Sequence, residues 1–492
     1  MSDVVLPSPL HLSELLDGLA GNPMLPPELI RRLFAFRKGH CEVAKRADLT
    51  NGMIAEIIAI DSHWLTHSLA LNRRLPPAFR MQLAEHRDPA VRKAVAIAAG
   101  DDAPDELFER LLGDAQQSVR EQLAENDHVP TDLRARLAAD PAPKVRATLA
   151  QWWPQAPEST RRRLLTDADG TVRAAACATY YRRLPYPVPP ADLVPALLAD
   201  PVTRAGAVRH CELDESLARR LAADQDDEVR QALAEHPGLP PQLRDVLAED
   251  RSPLVRVRIF VRQDTPESTR AAIHGQIMDG ASMQDMLSTD PDLDDESLEL
   301  QIWNVAARME LGALRLPWVT ADPLPYVDSP FACFRASAAM SEDLPEPVVA
   351  RLLDDGASNV RTTMALHARA RIDPATAERI DRTYRPDKRV RWRPADDLPL
   401  PAPVLRRLAT DPDARMRQLA PRDPDLPEQL ASRLAADPDH AVRRAIADHP
   451  RLPTRDLVAL LADPVGSVAA AAAGSPNLPV AQMRRLLDLA EL

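Results

Sequence analysis

The sequence predicts an all-α protein, an α-solenoid of about eighteen two-helix repeats of about 26 residues each. Three observations predict it. The phrases beginning at Leu408, Leu434 and Leu460 (LATDP, LAADP, LLADP) recur 26 residues apart, and Leu426-Pro427, Leu452-Pro453 and Leu478-Pro479 alternate with them in phase. The same corner signal reaches back to Leu25-Pro26 and Leu75-Pro76. Finally, 48 of the 492 residues are proline and only 15 are glycine, so helix boundaries are set by proline rather than by flexible linkers.

The stretch from Asp437 to Ala462 shows one repeat. Asp437 ahead of Pro438 reads as an N-cap followed by a first helical residue. Val442, Ala445 and Ile446 then fall at i, i+3 and i+4, one apolar face of a short helix. His449-Pro450 stops that helix. Leu452-Pro453 opens a second one, whose Leu457, Leu460 and Leu461 repeat the stripe. Helices of about ten residues do not persist alone in water, so stacking must bury both stripes. Histidine at the end of the first helix, as in His236-Pro237 and His449-Pro450, suits the helix dipole.

Charge recurs in phase as well. Asp114, Asp140, Asp167, Asp224, Asp250, Asp355, Asp411, Asp437 and Asp463 each stand five residues before an apolar residue. In all but the last, the following residue is arginine: Arg120, Arg146, Arg173, Arg230, Arg256, Arg361, Arg417 and Arg443. Such pairs can form a ladder, each guanidinium reaching a carboxylate or helix end in the next layer. A comb of arginines binding phosphates is the competing reading; the aspartate that accompanies each arginine favours the ladder.

The phrase from Leu434 to Leu457, of the form LAxDPxxxVRxAxAxHPxLPxxxL, resembles the bacterial leucine-rich repeat variant, and its Asp-x4-Val-Arg core is similar to HEAT repeats. The resemblance covers most of the chain and weakens between about 265 and 345. It implies a right-handed superhelix of short helices without a sheet. Some members of that family carry an N-terminal iron–sulfur module with clustered cysteines. The first 50 residues here hold only Cys41, so no cofactor is expected. The other cysteines, Cys177, Cys211 and Cys333, form no CxxC pair and read as core thiols.

Three segments depart from the repeat. The basic run Arg382, Arg385, Lys388, Arg389, Arg391 and Arg393, with Tyr384 and Trp392 interleaved, is either a contact site for phosphates or an acidic partner, or the solvated face of one repeat. Aromatic residues gather between about 150 and 335. Trp152-Trp153 and Tyr180-Tyr181 follow Val145 and Val172 at nearly equivalent distances, so they line one groove or fill wider spaces in the stack. The stretch 271–341 is irregular. Its Asp290-Pro-Asp292-Leu-Asp294 fails as a calcium loop, because Asp295 and Gln301 occupy the glycine and glutamate positions, and it reads as a capped helix start. The expected organisation is thus an N-terminal array over 1–270, an irregular hinge over 271–341, and a C-terminal array with its cap over 342–492.

The net charge of −12 disfavours nucleic acid as a general partner, because phosphate neutralisation needs cations. No GxSxG, HExxH, GxxxxGK[ST] or GxGxxG motif is present. No signal peptide or membrane-spanning run is evident, so a cytoplasmic location is expected. The function these features imply is a non-enzymatic scaffold that holds a protein on the concave solenoid surface, with nucleic-acid binding through 382–393 as the alternative.

Overall fold

The computed structural model describes residues 11–36, 42–178, 180–181, 184–287, 294–384 and 392–492. The protein is all-α, a succession of short helices in two-helix layers. One two-residue antiparallel pairing, Tyr180–Tyr181 with Leu184–Pro185, is the exception to the expected absence of a sheet. Two compact units are present. One comprises Met1–Val119 together with Arg369–Leu492, and the other is Arg120–Ala368. The division expected at 271–341 is therefore redrawn: that stretch lies inside the second unit, and the two ends of the chain share the first.

The layer-forming logic is visible over helices His440–Ile446 and Thr454–Leu460. Val442, Ile446, Leu457, Leu460 and Leu461 are buried against neighbouring layers. Each such side chain contributes about 1.5–3 kcal/mol, which offsets the ordering of helices too short to stand alone. Ala445, expected on the inner stripe, faces solvent, and Ala447 is buried in its place.

The expected cap at Asp437 is also displaced. Asp439 is the N-cap, its carboxylate accepting from the amides of Ala441 at 2.8 Å and Val442 at 3.3 Å. Asp437 stands two residues earlier and accepts from the Asp439 amide at 2.9 Å. Its carboxylate is occupied by an arginine of the preceding layer, which fixes the turn before the helix begins.

The irregular stretch overlaps the two longest helices among the described residues, Glu267–Asp279 and Asp295–Ala313. Asp294 caps the second, accepting from the Ser297 amide at 2.8 Å, while Asp290 and Asp292 lie outside the described residues. Among the described residues no helix is long and apolar enough to cross a membrane.

Candidate functional site

The recurring arginine is anchored the same way in layer after layer. Its Nη1 donates to the backbone carbonyl six residues earlier, and Nε with Nη2 grips the aspartate of the next layer. Arg146 donates to the Asp140 carbonyl at 2.7 Å and to the two Asp167 oxygens at 2.7 and 2.9 Å. Arg230 donates to the Asp224 carbonyl at 2.8 Å and to Asp250 at 2.7 and 3.0 Å. Arg443 repeats this with Asp437 at 2.8 Å and Asp463 at 2.6 and 2.9 Å. Arg120 holds Asp140, and Arg417 holds Asp437.

Arg92–Asp114, Arg335–Asp355 and Arg204–Asp224 belong to the same series. They escaped the sequence pattern because His86, Ser329 and Leu198 replace the aspartate six residues before the arginine; Arg204 also follows Thr203 in place of an apolar residue, and it bonds the carbonyl with Nε and Asp224 with Nη1. Only the carbonyl of that residue is used by its own arginine, so its side chain is free to vary. Arg256 departs from the series: it keeps the anchor to the Asp250 carbonyl at 2.8 Å, but its buried Nε has no partner. The helix Glu267–Asp279 runs on through Gln276, where the next-layer aspartate would stand, 20 residues after the arginine.

Hydrogen bonds from Arg146, Arg173 and Arg382 hold the carboxyls of Asp167, Asp200 and Asp411 below the usual carboxylate range. For Asp437 and Asp463 burial pushes upward, but the arginine and a backbone amide together outweigh it. Depressed carboxylates contribute stability that is present above the unfolded value of about 3.9 and is lost as pH falls through the lower folded values. The urea midpoint is therefore expected to hold down to about pH 5 and to drop steeply below about pH 4. A midpoint unchanged from pH 5 to pH 3 would contradict a ladder of ionised pairs.

A second series lies at the corner residue, three positions before each leucine–proline or equivalent turn. His449 Nε2 bonds the Asp423 carbonyl at 2.8 Å, and His236 Nε2 bonds that of Cys211 at 3.2 Å. Asn72 Nδ2 donates to the Arg46 carbonyl at 3.0 Å. These histidines thus reach the preceding layer rather than serving their own helix dipole.

The basic segment is partly consumed by packing. Arg382 pairs with Glu378 at 2.9 Å and Asp411 at 2.7 Å. Arg393 pairs with the fully buried Asp381 and donates to the Arg415 carbonyl at 2.7 Å. Trp392 donates to Asp397 at 2.7 Å and meets Tyr384 edge-on, ring centroids 5.4 Å apart. Arg385, Lys388, Arg389 and Arg391 lie outside the described residues.

The aromatic-rich interval is mainly interior. Phe260, Phe331 and Phe334 are buried together, with Trp318 edge-on to Phe334 and donating to the Val261 carbonyl at 3.2 Å. Trp153 is half-buried under the Arg134 guanidinium, 5.0 Å from the ring centre. Trp152 ends the helix Pro143–Trp152, whereas the backbone at Tyr180–Tyr181 is extended, so the expected equivalence of the two pairs fails. Pro154 follows the end of the first helix; the second, Gly170–Ala176, ends before Tyr180, and the short strand pairing comes after it.

A different surface stands out. Arg31, Phe34, Ala35, Glu56, Ala59, Ile60 and Ser62 line an open groove of about 820 Å³. Arg31 Nε lies 3.1 Å from both oxygens of Glu56 at its rim. Ile60 is 49% exposed, and Trp64, two residues beyond Ser62, is 64% exposed. The His63 ring meets Trp64 edge-on at 5.0 Å, and its Nδ1 is tied to Asp88 at 2.7 Å. Trp64 lies outside the aromatic-rich interval of the sequence. Its position, one residue off the buried Leu65–Leu69 stripe, was the available signal.

No family model matches the sequence, and no curated protein matches it. Among solved structures, the chain is similar to the karyopherin Kap121p. The complex with Pho4p is 15% identical over 82% of this chain and 48% of that one, with a TM-score of 0.24. The complex with Nup53p is 16% identical over 91% and 48%, also at 0.24, and that with RanGTP is 17% identical over 86% and 48%, at 0.23. The chain thus spans about half the length of the karyopherin chains it matches. A superposition this loose supports no argument about function, and the all-α assignment rests on the helices themselves.

Proposed function

We propose that this protein is a scaffold that binds another protein, and that the groove between Phe34 and Ile60, with Trp64 beside it, is a contact surface. One observation carries the reading: a tryptophan 64% exposed, two residues from a groove with both apolar and charged walls, its ring braced by a histidine that is itself held by Asp88. Rigid exposed aromatics are preferred anchors at protein interfaces, and bracing before binding lowers the ordering cost. The groove suits a partner that inserts an aliphatic or aromatic side chain and sets polar groups against the Arg31–Glu56 pair. The repeat phrase supports placing the protein among the bacterial leucine-rich repeat variants, acting in the cytoplasm without a cofactor.

The test is affinity capture from extract, with and without nuclease treatment, using the wild type and the variants Trp64→Ala and Ile60→Glu. Truncating an interface anchor costs about 2 kcal/mol or more, so the protein partner is expected to weaken at least about thirtyfold in both variants. Equal recovery with all three proteins would overturn the assignment of the groove. Recovery of nucleic acid alone would overturn the scaffold reading.

A further inference from the structure

A cleft of about 500 Å³ opens beside the ladder pair Arg204–Asp224. Pro195, Leu198 and Ala199 of the helix Val194–Ala199 form one wall, and Leu217 and Leu221 of the helix Glu215–Ala222 form the other. The charged side chains that line it are Arg204, Arg220 and Asp224. The same bay recurs beside Arg92–Asp114, where it spans about 510 Å³. There Arg110, four residues before the ladder aspartate, pairs at 3.2 Å with Glu85, seven residues before the ladder arginine. Arg351 pairs in the same way with Asp328, at 3.3 Å.

In the Arg204 bay the corresponding arginine is Arg220, and Leu197 holds the place of its carboxylate. Leu198 and Ala199 stand where the other bay has His86 and Arg87. Arg220 is exposed, and its guanidinium makes no hydrogen bond or ion pair among the described residues. Arg204 is also less fully engaged than Arg92. Arg92 grips both oxygens of Asp114, at 2.6 and 2.9 Å. Arg204 meets Asp224 through Nη1 alone at 2.8 Å, with Nε on the Leu198 carbonyl at 3.1 Å and Nη2 as far as 3.5 Å from that of Ala199. Two guanidiniums thus share one carboxylate between apolar walls. In the other bay Arg87, Arg92 and Arg110 are matched by Glu85, Glu109 and Asp114.

We infer that this cleft binds an aliphatic carboxylate, its charged end on Arg220 and Arg204 and its hydrocarbon against Leu198, Leu217 and Leu221. A guanidinium fork matches a carboxylate in shape as well as charge, and Arg220 has donors to spare. The volume falls within the range of roughly 300–1,000 Å³ common to small-molecule sites. Inorganic phosphate would satisfy the arginines but leave the leucines uncovered, and a neutral hydrocarbon would do the opposite. The carboxylate belongs either to a free acid or to the end of a peptide chain.

Octanoate and N-acetyl-leucine are the probes, titrated into the full chain and followed by ligand-observed NMR. Octanoate stands for a free acid and N-acetyl-leucine for a chain end, so the tighter of the two names the source. That probe is expected to bind about tenfold or more tightly than its own amide, because a hydrogen bond to a charged group is the stronger kind. Arg220→Gln, at an exposed position, is expected to reduce the acid to the affinity of the amide. Ala199→Glu, also exposed, supplies the carboxylate this bay lacks and is expected to do the same. Arg110→Gln, in the matched bay, is expected to change nothing. Binding of neither acid, equal binding of acid and amide, or an Arg220→Gln chain that keeps the wild-type preference overturns the proposal. So does an equal loss from Arg110→Gln.

Discussion

Arg230→Met is expected to destabilise the unit Arg120–Ala368 by about 3–5 kcal/mol, because it leaves the Asp250 carboxylate buried without its partner. Both side chains are nearly inaccessible, at 5% and 8% exposure, and the pair is bidentate. Asp250 keeps the Ser252 amide at 2.8 Å, too little for a buried charge. Arg256→Met makes the same chemical change one layer on, yet a far smaller loss is expected. Burial already disfavours the Arg256 charge, pulling its pKa down, and its Nε bonds nothing. Urea unfolding of the two variants side by side checks this. Equal losses would mean that the next-layer carboxylate is not what the ladder arginine contributes.

Gly206→Leu is expected to separate two layers and to lower stability by about 3 kcal/mol or more, beyond ordinary overpacking. A Cβ at Gly206 would stand 1.5 Å from the Cys177 carbonyl oxygen and 2.7 Å from its carbon. The obstruction is backbone, so no rotamer change relieves it. The helix Arg204–Val208 must withdraw from the buried cluster of Leu165, Cys177, Leu197 and Ala207. Gly275→Ala is the contrasting control: nothing lies within 4 Å of its Cβ, and the site is inside the helix Glu267–Asp279. There a gain of about 0.5–1 kcal/mol is expected from the reduced backbone entropy. Thermal melts of both variants read the difference, and a destabilised Gly275→Ala would show that the helix interior is not open there.

Much of this architecture was legible because the period of the sequence is the period of the packing. Leu457, Leu460 and Leu461 recur where a layer must bury them, and Arg443 recurs where it must reach Asp463. The errors have a common source, contacts made across layers. Asp437 looked like a cap because it precedes a proline, but a neighbouring layer's arginine claims its carboxylate. His449 looked like a helix terminator and proved to be a rung to Asp423. The groove beside Trp64 was less legible still. Exposure is a property of what fails to cover a residue, and only its one-residue offset from the Leu65–Leu69 stripe sets Trp64 apart from the core aromatics Phe260 and Phe334.

The most direct test of the central claim is site-specific photocrosslinking from the groove. A photoreactive amino acid in place of Ala59, which lines the groove, is activated in nuclease-treated native extract and the adducts are identified by mass spectrometry. The account predicts one dominant protein adduct that disappears when Trp64→Ala is added to the same chain. Adducts that are diffuse, or that persist unchanged with Trp64→Ala, would contradict it.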